Sequence, residues 1–315
     1  MKNKITVTGA NITFFSFTMV YIMFSIGAAL FGALFGENSL IDNFIPVALI
    51  TQFVVVLGPA FIYMLIANLN IKEVLRLNNP GLAPMVIILL SVIPANFVGS
   101  ALNMLIVYPL SLIGKLPEQP IPVPQNLLEV VVMILVIAVS PGICEEILNR
   151  GIILKAYEKR GSYKAMVISG ILFGIFHFDI QNLLGPIFLG ILFSYYVIRT
   201  NSIFTGMFAH FLNNTFAVMI LYLSRGEEMG GGSQITFQQF GLSMLQGMIA
   251  FALLVVLLLI FTKITDNKYR LVPPISNSKR DFISIISHWP IIVTLCVYIL
   301  INGLLLLTIV ASNFI

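Results

Sequence analysis

The sequence predicts an all-α fold, a polytopic transmembrane helical bundle of about nine spans with its N-terminus inside. Three observations predict it. Of 315 residues, 58% are hydrophobic and only 10% are charged, against about 25% charged in ordinary soluble domains; the mean hydropathy is +1.00. Apolar runs recur at lengths near the ~20 residues that a helix needs to cross a bilayer. Between those runs, Lys and Arg collect in alternate connections, as the positive-inside rule requires.

Taken in order, the apolar runs are 12–35, 44–67, 82–113, 127–154, 163–178, 183–198, 202–223, 237–261 and 289–314. The first follows a basic start (Lys2, Lys4) but is much longer than the roughly 7–15 residues of a signal-peptide core, so it reads as a retained span. Placing the N-terminus inside puts Lys72, Arg76, Lys155, Lys159, Arg160, Lys164, Arg199, Lys263, Lys268, Arg270, Lys279 and Arg280 in inner connections. Only Lys115 and Arg225 fall outside. The net charge of +4 is therefore a topology signal and not a nucleic-acid-binding surface. Cys144 and Cys296 both lie in apolar runs and offer neither a disulfide framework nor metal-ligand spacing.

The connections have their own character. Residues 70–79 place Lys72, Glu73 and Arg76 among Ile71, Val74, Leu75 and Leu77, the pattern of a short amphipathic helix on the inner surface. Pro117, Pro120, Pro122 and Pro124 predict an extended outer loop. Residues 179–186 read as an irregular or re-entrant turn, Gly230–Gly232 as a flexible outer loop, and 263–281 as a polar inner linker. In the third run Asn96, Gly99, Ser100 and Asn103 share a helical face, a small-polar pattern for close helix packing. The chain divides into N-terminal spans (1–126), a central core (127–223) and C-terminal spans (224–315), the last span being a peripheral addition.

The central core concentrates the costly residues. Glu145, Glu146 and Arg150 share one apolar run, His177 ends the next, and His210 and Asn214 lie on a third. An ionised side chain at mid-bilayer costs about 2.5–3.5 kcal/mol on an insertion scale, so three unpaired charges would cancel most of one span's hydrophobic gain. Glu146 and Arg150 stand at i,i+4 and can pair. Glu145 lies about 100° round the helix, outside that pairing, which suits a general base. Pro141 and Gly142 just upstream can bend the helix and admit water. Gly170 and Gly174 lie on the face of His177, where a neighbouring helix can approach closely. His210 and Asn214 are i,i+4. His288, beside Trp289, reads as an interfacial anchor. The competing reading of the charged trio is a purely structural ion cluster between helices.

Counted from the inner boundary at 1.5 Å per residue, Glu145, His177 and His210 all reach the middle of the membrane, so they can form one site. Because that count places them nearer the inner leaflet, substrate is expected from the cytoplasmic side. No H-E-x-x-H, G-x-S-G with a partner His, or G-x-G-D sequence occurs, which leaves zincin, serine and aspartyl chemistries without their residues.

These residues resemble the CPBP family, the CaaX proteases and bacteriocin-processing or immunity (Abi) proteins, whose motifs E-E-x-x-x-R, F-x-x-x-H and H-x-x-x-N/B match Glu145, Glu146 and Arg150, then Phe173 and His177, then His210 and Asn214. The resemblance implies an intramembrane endopeptidase similar to type II CaaX prenyl endopeptidases, acting on membrane-embedded or lipidated peptides or proteins. In one description, Glu145 and His177 activate a water while His210 and Asn214 stabilise the oxyanion; Glu146 and Arg150 orient the site. In the other, Glu145, His177 and His210 hold Zn²⁺. The alternative is a non-catalytic scaffold or peptide-immunity protein of the same fold. A proton-coupled transporter ranks below both, since the polar cluster is confined to one part of the chain. The loop pattern fits a bacterial cytoplasmic membrane.

Overall fold

The computed structural model describes residues 4–36, 39–117, 121–224, 234–266, 271–274 and 277–313. Among these, the long helices are α1 (Val7–Phe35), α2 (Phe44–Ile66), α3 (Leu82–Ile113), α4 (Leu127–Arg160), α5 (Ser162–Ile175), α6 (Leu184–Thr200), α7 (Ile203–Leu223), α8 (Phe237–Thr265) and α9 (Trp289–Ala311), and there is no strand. All but α5 and α6 are long and apolar enough to cross a membrane. The chain is a helical membrane protein, and its helices coincide with the apolar runs of the sequence.

Local chemistry sets several helix starts. Thr6 accepts from the Gly9 amide, Asn126 from the Glu129 amide, and Thr236 forms a reciprocal capping box with Gln239, satisfying amides that have no partner within the helix. Pro94 and Pro109 lie inside α3 without ending it, as proline can in membrane helices where neighbours re-satisfy the freed carbonyls. Pro141 is handled differently. Helix α4 widens to π register over Ile134–Val139, returns to α over Ser140–Glu146 and widens again over Ile147–Leu154. The irregularity expected at Pro141 is thus a pair of register changes bracketing the two glutamates, a feature often found at functional sites.

Helix α4 is central, packing against α1, α2, α5, α6 and α7. The largest apolar cluster joins Phe14 and Phe17 of α1, Val56 and Ala60 of α2, Leu148 and Ile152 of α4, Phe176 after α5, and Ile291 of α9. A second cluster locks α3, α6 and α8 through Ile88, Tyr196 and Phe261. Helices α5 and α6 form a tight antiparallel pair. A side-chain carbon at Gly170 would lie 2.8 Å from the Ile187 carbonyl oxygen and 2.9 Å from the Ile191 amide, and one at Gly174 would lie 2.9 Å from the Leu183 oxygen. The glycine face read from the sequence is therefore a backbone-to-backbone contact. Gly99 likewise meets Gly185, where Asn103 accepts from the Gly185 amide (2.7 Å) and donates to Asn182 Oδ1 (2.8 Å).

Several expectations need correction. The span expected to reach residue 178 is helical only to Ile175. The expected amphipathic helix is a single turn, Ile71–Val74, after which Arg76 is buried and paired with Glu158. Residues 263–281 are not simply a linker: α8 runs on to Thr265, and a further helix, Ser278–Ile286, begins before the last span. Asp281 of that helix is buried against Arg160 (3.2 Å) and Lys164 (2.7 Å). Nor is α9 peripheral. Its Asn302 accepts from the Ile180 amide (2.6 Å) and donates to the Phe178 carbonyl (3.4 Å), bracing the turn between α5 and α6. Thr294 meets Thr18 of α1 at 3.3 Å. His288 has a further role beyond anchoring, because Asn11 bridges it (2.9 Å) to Tyr157 (2.6 Å). The Gly230–Gly232 loop, Pro120, Lys2, Arg225, Lys268 and Arg270 lie outside the described residues.

Replacing Gly170 with Val forces α5 off the α6 backbone. Overpacking of this kind costs about 1–3 kcal/mol, and the expected outcome is a lower midpoint in thermal unfolding of the detergent-purified protein, whereas Gly27→Val, which meets open space, leaves the midpoint within a degree or two.

Candidate active site

The buried ion pair comes first. Arg150 Nη1 donates to Glu146 Oε1 at 2.7 Å, with both side chains fully buried. Arg150 Nη2 donates to the Gly190 carbonyl at 3.2 Å, and the guanidinium lies over the ring of Phe173 at 4.5 Å and that of Phe193 at 5.5 Å. One charge is thus compensated by a carboxylate, a carbonyl and two aromatic faces, the combination a buried guanidinium needs. Gly206 of α7 leaves room for Glu146, since a side-chain carbon there would sit 2.5 Å from Glu146 Oε2. Gly142 lets α7 approach α4, a carbon there lying 3.3 Å from the Met207 carbonyl.

Glu146 also positions His210. Its Oε1 lies 3.0 Å from His210 Nδ1. A carboxylate can only accept, so Nδ1 carries the hydrogen and a neutral His210 presents Nε2 as a bare acceptor. That nitrogen is 3.9 Å from Glu145 Oε2, too far for a direct hydrogen bond and suited to a bridging water. The same logic applies to His177, whose Nδ1 lies 2.8 Å from the Phe173 carbonyl oxygen. Phe173 stands edge-on to both imidazoles, with centroids at 5.1 Å from His177 and 5.7 Å from His210. One ring therefore contacts Arg150, His177 and His210, which explains its place in the motif.

Glu145 is the buried carboxylate outside the ion pair, 6% exposed. Its Oε1 accepts from Gln52 Nε2 at 3.0 Å, and its Oε2 has no hydrogen-bond partner among the described residues. Asn214 donates to the Ile137 carbonyl (2.9 Å), which commits one of its two amide hydrogens, and Asn213 donates to Asn214 Oδ1 (3.3 Å). Glu145, Phe173, His177, His210 and Asn214 all line one cavity of about 920 Å³. The structure therefore brings these five together, with Glu146 and Arg150 directly behind them.

Gln52 and Asn213 were not read from the sequence, and Asn96 was read only as a packing residue, whereas it lines the cavity and donates to Asn213 at 3.4 Å. The available signal for Gln52 was an amide within the apolar run 44–67; the structure adds that the helix turns to π register there, over Thr51–Val56.

Two imidazole Nε2 atoms and a carboxylate oxygen are the right kind of donors for zinc. Among the described residues, however, no group of three His, Cys, Asp or Glu side chains is placed to hold a metal ion. The set Glu145, His177 and His210 is therefore not arranged as a metal-holding group in this structure.

The cavity also differs from the expectation of an inner-side approach. It is lined from the second half of α1 (Tyr21, Ala28), the start of α2 (Phe44, Val47) and Ile121 between α3 and α4, all toward the end of the bundle away from the Lys/Arg-rich connections.

Residues 127–216 match the Rce1-like family of type II CAAX prenyl endopeptidases. Over 89 residues the chain is 40% identical to "Putative membrane peptidase YdiL" of Bacillus subtilis (strain 168), an alignment covering 28% of this chain and 36% of that protein. The chain thus spans about a third of that relative's length. No solved structure matches. The matched segment contains every motif residue, from Glu145 to Asn214.

Arg150→Ala leaves Glu146 buried without its counter-charge, and breaking such a pair costs about 3–5 kcal/mol. Thermal unfolding in detergent should show this large loss, with most of it recovered in the double variant Glu146→Gln, Arg150→Met.

Proposed function

Starting from a central segment that belongs to the CPBP membrane-protease family, we propose that this chain is an intramembrane endopeptidase that hydrolyses a peptide bond of a membrane-embedded or lipidated peptide or protein. The observation that carries the reading is Glu145: a buried carboxylate on a cavity wall, with one oxygen held by Gln52 and the other unpartnered, 3.9 Å from His210 Nε2. Water bound between Glu145 Oε2 and the bare Nε2 of His210 or His177 is polarised by acceptors. Glu145 takes its proton as the oxygen adds to the scissile carbonyl carbon. Glu145 then returns that proton to the amine nitrogen as the C–N bond breaks.

The oxyanion needs donors. The free amide hydrogens of Asn213 and Asn214 supply them. His210, giving its Nδ1 hydrogen to Glu146, donates from Nε2 only as the imidazolium, so its first role is to hold the water. Gln52 fixes which oxygen of Glu145 faces the reaction. Glu146 and Arg150 orient the site from behind the cavity, and Phe173 packs against both imidazoles from its wall. The zinc reading has one observation in its favour, the two Nε2 atoms left as acceptors on the cavity side. The scaffold or immunity reading requires only the ion pair, not Glu145. A bacterial cytoplasmic membrane is the proposed location.

The test compares membrane peptides from cells carrying the wild-type protein with those from cells carrying Glu145→Gln at equal expression. General-base catalysis is worth about 10²–10⁴-fold, so specific products should fall by at least about 100-fold. Identical peptide sets with a surviving cellular phenotype would favour the scaffold. With purified enzyme, a chelator should leave cleavage unchanged if water is activated by Glu145 alone and abolish it if zinc is required. Gln52→Ala removes the hydrogen bond that holds Glu145 Oε1, a bond to a charged group worth about 1.5–3 kcal/mol, and should lower both the unfolding midpoint and kcat, the latter by roughly 10- to 100-fold in protein still folded at the assay temperature.

A further inference from the structure

We infer that the cavity opens on the face opposite the basic connections, and that it takes an uncharged, largely apolar peptide segment from the outer half of the bilayer. The inference rests on the protease reading of Glu145 for its chemistry but not for its geometry.

The geometry follows from which part of each helix lines the cavity. The wall is built from the second half of α1, the first half of α2, the middle of α3 (Asn96 to Asn103), α4 from Val136 to Glu145, the end of α5, the first part of α6 and the middle of α7 (His210 to Ala217). From mid-helix these segments continue toward the end of the bundle where α1 meets α2 and α3 meets α4. Ile41 and Ile121, which lie in those two connections, are part of the wall. The opposite end carries Lys72 and Arg76 between α2 and α3, Lys155, Lys159 and Arg160 at the end of α4, and Arg199 at the end of α6. Among the described residues outside α4, the cavity end holds Lys115 as its basic residue. Lys and Arg in short connections mark the cytoplasmic side. The mouth therefore faces away from the cytoplasm.

The lining selects the ligand. Among the described residues Glu145 is the sole Asp, Glu, Lys or Arg on the wall, and a charged group brought beside it would lose its hydration at a cost. One side of the cavity is apolar, with Phe24, Phe44 and Val47. The facing side carries amides, among them Asn96, Asn103, Asn182 and Asn213, which can exchange hydrogen bonds with an extended peptide backbone. At about 920 Å³ the space is near the top of the roughly 300–1,000 Å³ usual for small-ligand pockets, enough for a short stretch of chain.

The experiment uses the full-length protein in intact spheroplasts, with Cys144→Ala and Cys296→Ser as background. Ser25→Cys and Ser100→Cys place thiols on two cavity walls, and Lys72→Cys places one at the basic end. A membrane-impermeant maleimide should label Ser25→Cys and Ser100→Cys at least 10-fold more than Lys72→Cys, which should react only after permeabilisation. The reverse pattern, or no labelling of either cavity thiol before or after permeabilisation, overturns the inference. If Glu145-dependent peptides exist, labelling Ser25→Cys from outside should reduce them at least 10-fold, and the residues flanking the cut should be uncharged; charged residues on both sides overturn the substrate class. Outward labelling without any Glu145-dependent peptide supports the access route and removes the protease reading, so the two failures are distinguishable.

Discussion

The structure depends on one contact, the fully buried pair between Glu146 and Arg150. A carboxylate and a guanidinium in an apolar interior need each other as counter-charges, the more so here because Glu146 Oε2 and Arg150 Nε have no hydrogen-bond partner among the described residues. Forming that pair fixes much else. Gly190 offers its carbonyl, Phe173 and Phe193 offer their ring faces, and Gly206 gives up its side chain so that Glu146 fits. The second hydrogen bond to Glu146 then sets the hydrogen of His210 on Nδ1. Four helices are tied together by what one ion pair requires, and the neighbouring Glu145 is left out of the arrangement.

That exclusion separates the two glutamates in role although they are adjacent in sequence. Glu146 is saturated with structural partners on one oxygen. Glu145 is turned towards the cavity, supported by a single amide from a distant helix. The π segments on either side of Ser140–Glu146 are the backbone counterpart. Wider register before and after a short α stretch lets a proline-containing helix continue while directing two successive side chains to different neighbours.

The fold was legible because hydrocarbon imposes a simple code: apolar runs become helices, and basic residues gather at one end. The helices α1 to α9 fall where the hydropathy and Lys/Arg pattern place them, and Gly170 and Gly174 read correctly as a packing face. The Glu146–Arg150 pair was legible from i,i+4 spacing, a local property. Gln52, Asn213 and Asn302 were not, because their partners are Glu145, Asn96 and the α5–α6 turn, all remote in sequence. Arg76 illustrates the other limit. Its neighbours suggested a surface helix, but its carboxylate partner, Glu158, lies more than eighty residues on and draws it inside. Which helix segments line the cavity was not legible for a similar reason: counting residues gives the depth of a side chain but not where surrounding helices leave space.

Asn302 has a consequence for how the protein is made. The backbone just after His177 is non-helical, and the Ile180 amide and Phe178 carbonyl there are bonded by Asn302 of α9. During synthesis that helix leaves the ribosome after the eight long helices that precede it. Until it docks, the segment holding His177 has exposed peptide groups in a medium without water to satisfy them, and the imidazole has no fixed backbone to stand on. The placement of His177 is thereby tied to the docking of α9, so a molecule inserted only as far as α8 lacks the finished geometry around that imidazole.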